Sequence, residues 1–165
     1  MSHGSEGGIL DEVPPPYPEP AAVPVRECGE RLVDLRDVPA LRTATPGSVL
    51  LRLGVVDRLV TAQTMLPEGL RLLVLGAYRP SPGLRCTGHE TGAAADLTLC
   101  RADGVELWPG ATDPVAAEQR HTLSEALSVV GLSNYPAAWW HWSHGDCSWA
   151  YLRGAGHARY GPVRR

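Results

Sequence analysis

The chain has 165 residues, 44% of them hydrophobic and 20% charged, with a formal net charge of -3. That length suits one domain with its own core, and the composition is that of an ordinary globular protein. Slight acidity offers no broad basic field for a nucleic acid, and no apolar run approaches the length of a membrane span.

Residues 1–24 hold six prolines (Pro14, Pro15, Pro16, Pro18, Pro20 and Pro24) and little apolar periodicity, which predicts an extended or disordered arm. The arm has no basic stretch leading into an apolar one, so it does not read as a secretory signal. Residues 25–165 are expected to form the folded domain. Val49, Leu53, Val56 and Val60 fall on one helical face, with Leu50 and Leu59 beside it, and predict a helix from Val49 that Pro67 ends. Arg71-Leu72-Leu73-Val74-Leu75 reads as a buried strand running into Tyr78-Arg79-Pro80. Ala93–Cys100 alternates towards Leu97 and Leu99, and Asp103-Gly104 predicts a hairpin turn before Val105-Glu106-Leu107.

Pro114–Val130 predicts a second helix, with Pro at its start and Gly131 beyond its end. Segments 138–144 and 147–152, rich in Trp and Tyr and separated by Gly145-Asp146, predict a closing hairpin. This mixture points to a single α+β domain, a mostly antiparallel sheet with packed helices. Cys28, Cys86, Cys100 and Cys147 lie far apart. With no export signal in view they read as reduced thiols of a cytoplasmic protein, although an even count also permits two disulfides.

The chemistry-bearing residues gather in two segments. His89 and Asp96 stand seven positions apart in His89-Glu-Thr-Gly92-Ala-Ala94-Ala-Asp96, where small residues let a loop turn into a strand. His141 sits in Trp139-Trp140-His141-Trp142. Two imidazoles and one carboxylate form the ligand set of a catalytic zinc whose fourth position is left to water. Taken singly, a histidine among tryptophans is a packed residue and an aspartate at a strand start is a turn cap.

Read together, four stretches change that balance: Pro24-Val-Arg26-Glu-Cys-Gly, Leu70-Arg-Leu-Leu-Val with Tyr78-Arg79-Pro80, His89-x-x-Gly-x-Ala-x-Asp96-Leu-Thr-Leu, and Trp139-Trp-His141-Trp. In this order they resemble the D-alanyl-D-alanine dipeptidases, zinc enzymes related in fold to other cell-wall carboxypeptidases and to the signalling domain of hedgehog proteins. The likeness runs from about residue 24 to Pro162. It implies zinc held by His89, Asp96 and His141, with Arg79 facing the scissile carbonyl of a dipeptide or other small substrate. It also sets Tyr78, Thr87 and Trp139 on the substrate side, Thr87 standing where the family has a serine.

Two departures qualify the resemblance. The family carries a general-base glutamate three residues before its last metal-binding histidine, and Ala138 occupies that place here. General acid–base help is worth about 10²–10⁴ in rate, so efficient dipeptide hydrolysis should be lost. The alanine is either an engineered substitution or native to a relative that dropped the base. Only nine residues (80–88) separate Arg79 from His89, far fewer than in the family. One substitution would not shorten that loop, which favours a natural relative with a more open pocket.

Other groups near the motif are weaker candidates for the lost base. His144 lies three positions past His141 and should face the other side of a strand; Glu90 adjoins His89, which alone does not place it in the site, and Glu118 and His121 on the predicted helix read as solvated. Two histidines and a carboxylate also ligate non-haem Fe2+, so redirected metal chemistry (lyase, cyclase, isomerase or oxygenase) is a rival reading. A non-catalytic zinc-fold binding module is another. A structural zinc held by Cys86, His89, His144 and Cys147 has permissible spacing.

Overall fold

The computed structural model of the protein describes residues 23–83, 85–107 and 112–164. The expected proline-rich arm therefore lies outside the described residues, save for residues 23 and 24. In chain order the elements are β1 (Leu32–Asp34), β2 (Arg42–Thr43), β3 (Leu50–Arg52), α1 (Leu53–Met65), β4 (Leu70–Gly76), β5 (Ala94–Arg101), α2 (Pro114–Val129), β6 (Ser133–Tyr135), β7 (Ala138–Ser143) and α3 (Cys147–Arg153). Five strands form a sheet in the order β2-β4-β5-β7-β6, antiparallel except for the β2–β4 edge, and β1 pairs with β3 in a separate ribbon. The α+β expectation holds, with a mixed sheet.

Alternation explains the centre of the sheet. Leu97 and Leu99 on β5 and Leu72 on β4 are fully buried. They meet Val55, Leu59 and Ala62 from α1 and Leu123 and Leu127 from α2 in one core. Spacings of three and four residues put each helical set on a single face. The turn after β5 falls where Asp103-Gly104 predicts it, with the Val105 carbonyl accepting from the Arg101 N–H at 2.9 Å.

Two boundaries differ from the apolar pattern. The first helix begins at Leu53, not Val49, because Leu50–Arg52 pair antiparallel with β1. Val49 and Leu51, both buried, follow a period of two rather than 3.6. The expected hairpin of 138–144 with 147–152 is also corrected. β7 pairs instead with β6 just upstream, and residues 147–153 form α3. Asp146 caps that helix by accepting the Trp149 N–H at 2.8 Å.

Cys86 and Cys147 form a disulfide, while Cys28 is an exposed thiol and Cys100 a buried one. This overturns the reading of four reduced thiols.

His144 faces away from the site, as its strand position predicts. Its Nδ1 lies 3.1 Å from the Gly131 carbonyl, and its ring stands against Trp149 at 4.8 Å. Burial, helped by Arg58, Arg159 and Arg153 and opposed by the Gly131 bond, pushes its pKa down to about 4. The unfolded chain, with an ordinary value of about 6.5, therefore binds the extra proton. Stability from neutral His144 is complete above about pH 6.5 and is lost as pH falls towards 4, on the order of 3 kcal/mol in all. Urea titrations across that window should show the decline, and His144→Gln should flatten it; an unchanged slope in the variant would assign the effect elsewhere.

Candidate metal centre

The β5–β7 register sets Asp96 directly opposite His141. Cross-strand partners point to the same face, with Cβ atoms about 4.5–5.5 Å apart, so the pairing alone brings carboxylate and imidazole together. His89 arrives on a 3₁₀ turn, Gly88–Thr91, that leads into β5. Asp96 Oδ1 lies 3.0 Å from His141 Nδ1 and 3.2 Å from His89 Nε2. The two rings stand edge to face with centroids 5.0 Å apart. The possible ligand atoms of the three residues all lie within 4.8 Å of one another.

Those separations suit a cation. Ligands about 2.0–2.2 Å from a tetrahedral zinc sit roughly 3.3 Å from each other, close to the two nitrogen–oxygen distances here. As hydrogen bonds, the same contacts require a proton on each imidazole nitrogen facing one oxygen. A single divalent ion satisfies all three groups at once. His89 Nδ1 is buried without a partner among the described residues, so the nitrogen turned to Asp96 is the ring's partnered one. Burial raises the Asp96 pKa, but bonds from His141 and His89 outweigh it and hold the carboxyl well below the usual carboxylate range. The group is thus an anion between two imidazoles, and these residues could hold a metal ion.

The loop before His89 is fastened at several points. Cys86 is joined to Cys147 through the disulfide, and its carbonyl accepts the Cys147 N–H at 2.9 Å. The Asp146 carboxylate accepts the Gly88 N–H at 3.0 Å, and the Arg79 N–H donates to the His89 carbonyl at 3.2 Å. Gly92 ends the 3₁₀ turn at φ 69°, and any Cβ there would run into Leu32 Cδ2. A left-handed backbone in so tight a place requires glycine.

Arg79 Nη2 lies 3.3 Å from Asp96 Oδ2, with 61% of its side chain exposed. It borders a cavity of about 250 Å³ that Tyr78, Asp96, Gly76, Thr45 and Ser48 also line. Thr45 and Ser48 come from the segment between β2 and β3, where no motif marks them. Of the expected substrate-side residues, Tyr78 lines this cavity, whereas Thr87 and Trp139 are not among its lining residues. Trp139 is half-buried and packs on Trp140 and the main core.

Glu90 is engaged elsewhere, accepting the Arg85 N–H at 2.6 Å. Glu118 is exposed, and so is His121, which pairs with Glu125 one turn along α2. The four-ligand site of Cys86, His89, His144 and Cys147 is excluded in this state: both sulfurs are spent in the disulfide, and His144 is turned to Gly131. Ala138 is 1% exposed and packs with Tyr135 and Trp140, while the Tyr135 ring stands edge-on to His141 at 6.2 Å.

No known protein-family profile matches the chain, and no curated protein sequence matches it.

Proposed function

We propose that the protein is a D-alanyl-D-alanine dipeptidase-like zinc metallohydrolase, acting on a small peptide or amide without the usual general base. The observation that supports this reading above others is the convergence of His89 Nε2, His141 Nδ1 and the Asp96 carboxylate beside an exposed guanidinium and a small cavity. When bound, zinc supplies a Lewis acid and lowers the pKa of a water it holds to about 7. Arg79 is placed to donate to a carbonyl oxygen as negative charge develops there, or to anchor an anionic end of the substrate. Its present partner, Asp96 Oδ2, keeps the guanidinium turned towards the ion site. The cavity suits a dipeptide-sized molecule.

Ala138 cannot carry a proton, and this is the weak link in a hydrolytic cycle. With zinc-loaded protein and D-alanyl-D-alanine as substrate, Ala138→Glu should raise hydrolysis by about 10²–10⁴. Ala138 is packed under Tyr135 and Trp140, so thermal melting and zinc content must first show the variant folded and loaded. A folded, loaded and inert Ala138→Glu protein would rule out this substrate class.

The missing base is also what favours a second reading, redirected chemistry on Fe2+ at the same three ligands. Iron in the purified protein, together with substrate-dependent oxygen uptake, would select it over hydrolysis. A protein that binds zinc tightly but turns over nothing would fit a binding module instead.

No described helix is long and apolar enough to cross a membrane. The Cys86–Cys147 bond runs against the cytoplasmic expectation and suits an oxidising compartment.

A further inference from the structure

The β6–β7 hairpin carries an irregularity next to His141. Ser133 pairs with Ser143 and Asn134 with Trp142, but the next residue of β6, Tyr135, pairs with Ala138. Trp139, Trp140 and His141 are therefore extra on β7 and stand opposite no residue of β6 in the register. On its other side β7 stays in regular register with β5 as far as His141 opposite Asp96. His141 thus sits where a regular ladder on one edge meets a bulge on the other. Carbonyls left over by a bulge must find donors or water.

One side chain reaches three carbonyls of this stretch. The Asn134 amide nitrogen lies 2.9 Å from the Ala138 carbonyl, 3.2 Å from that of Trp139 and 3.0 Å from that of His141. The Trp142 indole adds a second donor to the Trp139 carbonyl at 2.9 Å. We infer that Asn134 is a positioning residue for the metal centre, its amide holding the 139–141 bulge so that His141 Nδ1 meets the Asp96 carboxylate. The inference rests on His89, Asp96 and His141 being the metal ligands. It goes beyond that reading by assigning ligand geometry to a residue that touches neither ion nor substrate.

The chemistry required is narrow. A primary amide offers two N–H groups from one atom, enough to serve neighbouring carbonyls around a bulge. Aspartate has nearly the same shape but would set a carboxylate against carbonyl oxygens. If Asn134 merely capped a turn, its loss would cost stability and nothing more. If it orients His141, ligand geometry must change as well, and substitutions just outside a metal's ligands typically cost 10–100-fold in affinity.

The test compares wild type, Asn134→Asp and Arg153→Ala by zinc competition titration, by the visible spectrum of the cobalt-substituted protein and by thermal melting. Arg153 is the control. It bonds Ser133 Oγ at 2.9 Å and the Leu132 carbonyl at 3.0 Å, so its loss loosens the start of β6 without touching the bulge. Asn134→Asp should lose about 10–100-fold in zinc affinity and alter the cobalt bands. Arg153→Ala should keep wild-type affinity and bands even where its melting temperature falls as far.

If Asn134→Asp does not fold, Asn134→Gln takes its place. It keeps both N–H groups on a longer arm and should show a smaller loss with shifted bands. Wild-type affinity and spectrum in the folded Asn134 variant would overturn the inference while leaving the metal site standing, as would an equal loss in Arg153→Ala. A wild type that takes up neither zinc nor cobalt would overturn both.

Discussion

Replacing Asp96 with alanine is expected to lower zinc affinity by more than about 100-fold, beyond the range typical of substitutions outside the ligand set. The Asp96 carboxylate is bonded to His141, His89 and Arg79 alike. Its removal takes away a donor and the negative charge that balances a cation, leaving two imidazoles beside a guanidinium. Asp96→Asn keeps the shape but loses the charge and should fall between the two. Competition with a coloured chelator measures all three proteins. Ligand binding stabilises the folded state by about 2.7 kcal/mol at a hundredfold excess over Kd, so zinc should raise the wild-type melting temperature and leave that of Asp96→Ala unmoved. Equal affinities would mean that the ion, if bound, sits elsewhere.

Removal of the disulfide should have the next largest effect. Cys86 and Cys147 are 61 residues apart in sequence, and closing a loop of that length stabilises the fold by about 4 kcal/mol in the chain-entropy account. Against a total of about 5–15 kcal/mol for a typical domain, that is a large share. The Cys86→Ser, Cys147→Ser double variant should melt well below the oxidised wild type, and reductant should bring the wild type down to match. Because the bridge ends three residues before His89, zinc affinity should fall with it. An oxidised wild type that melts with the double variant would contradict a stabilising bridge.

The parts of this fold legible in the sequence are those where periodicity and function coincide. Leu72 and Val74 on β4 and Leu97 and Leu99 on β5 declare strands because their side chains are buried. Pro114 marks the start of α2. The three candidate ligands could be named because metal chemistry restricts residue type.

What could not be read depends on contacts between distant segments. Leu50–Arg52 has a helical neighbour pattern but pairs with β1, and nothing local distinguishes the two. The aromatic run after Asp146 looks like a strand until its cap is seen to accept the Trp149 N–H. Cys86 and Cys147 meet only where Cys86 docks on the first residue of α3, and cysteine spacing carries no information about that. Asn134 carries no motif of its own; what singles it out is an amide that reaches three carbonyls of the neighbouring strand. Thr45 and Ser48 reach the cavity beside Arg79 from a segment with no pattern of its own.

The most direct test is diffraction from crystals grown with zinc, with data collected on both sides of the zinc absorption edge. One anomalous peak per chain is expected about 2.0–2.2 Å from His89 Nε2, His141 Nδ1 and an Asp96 carboxylate oxygen. A difference map without that peak, or with zinc held only by other residues, would contradict the account.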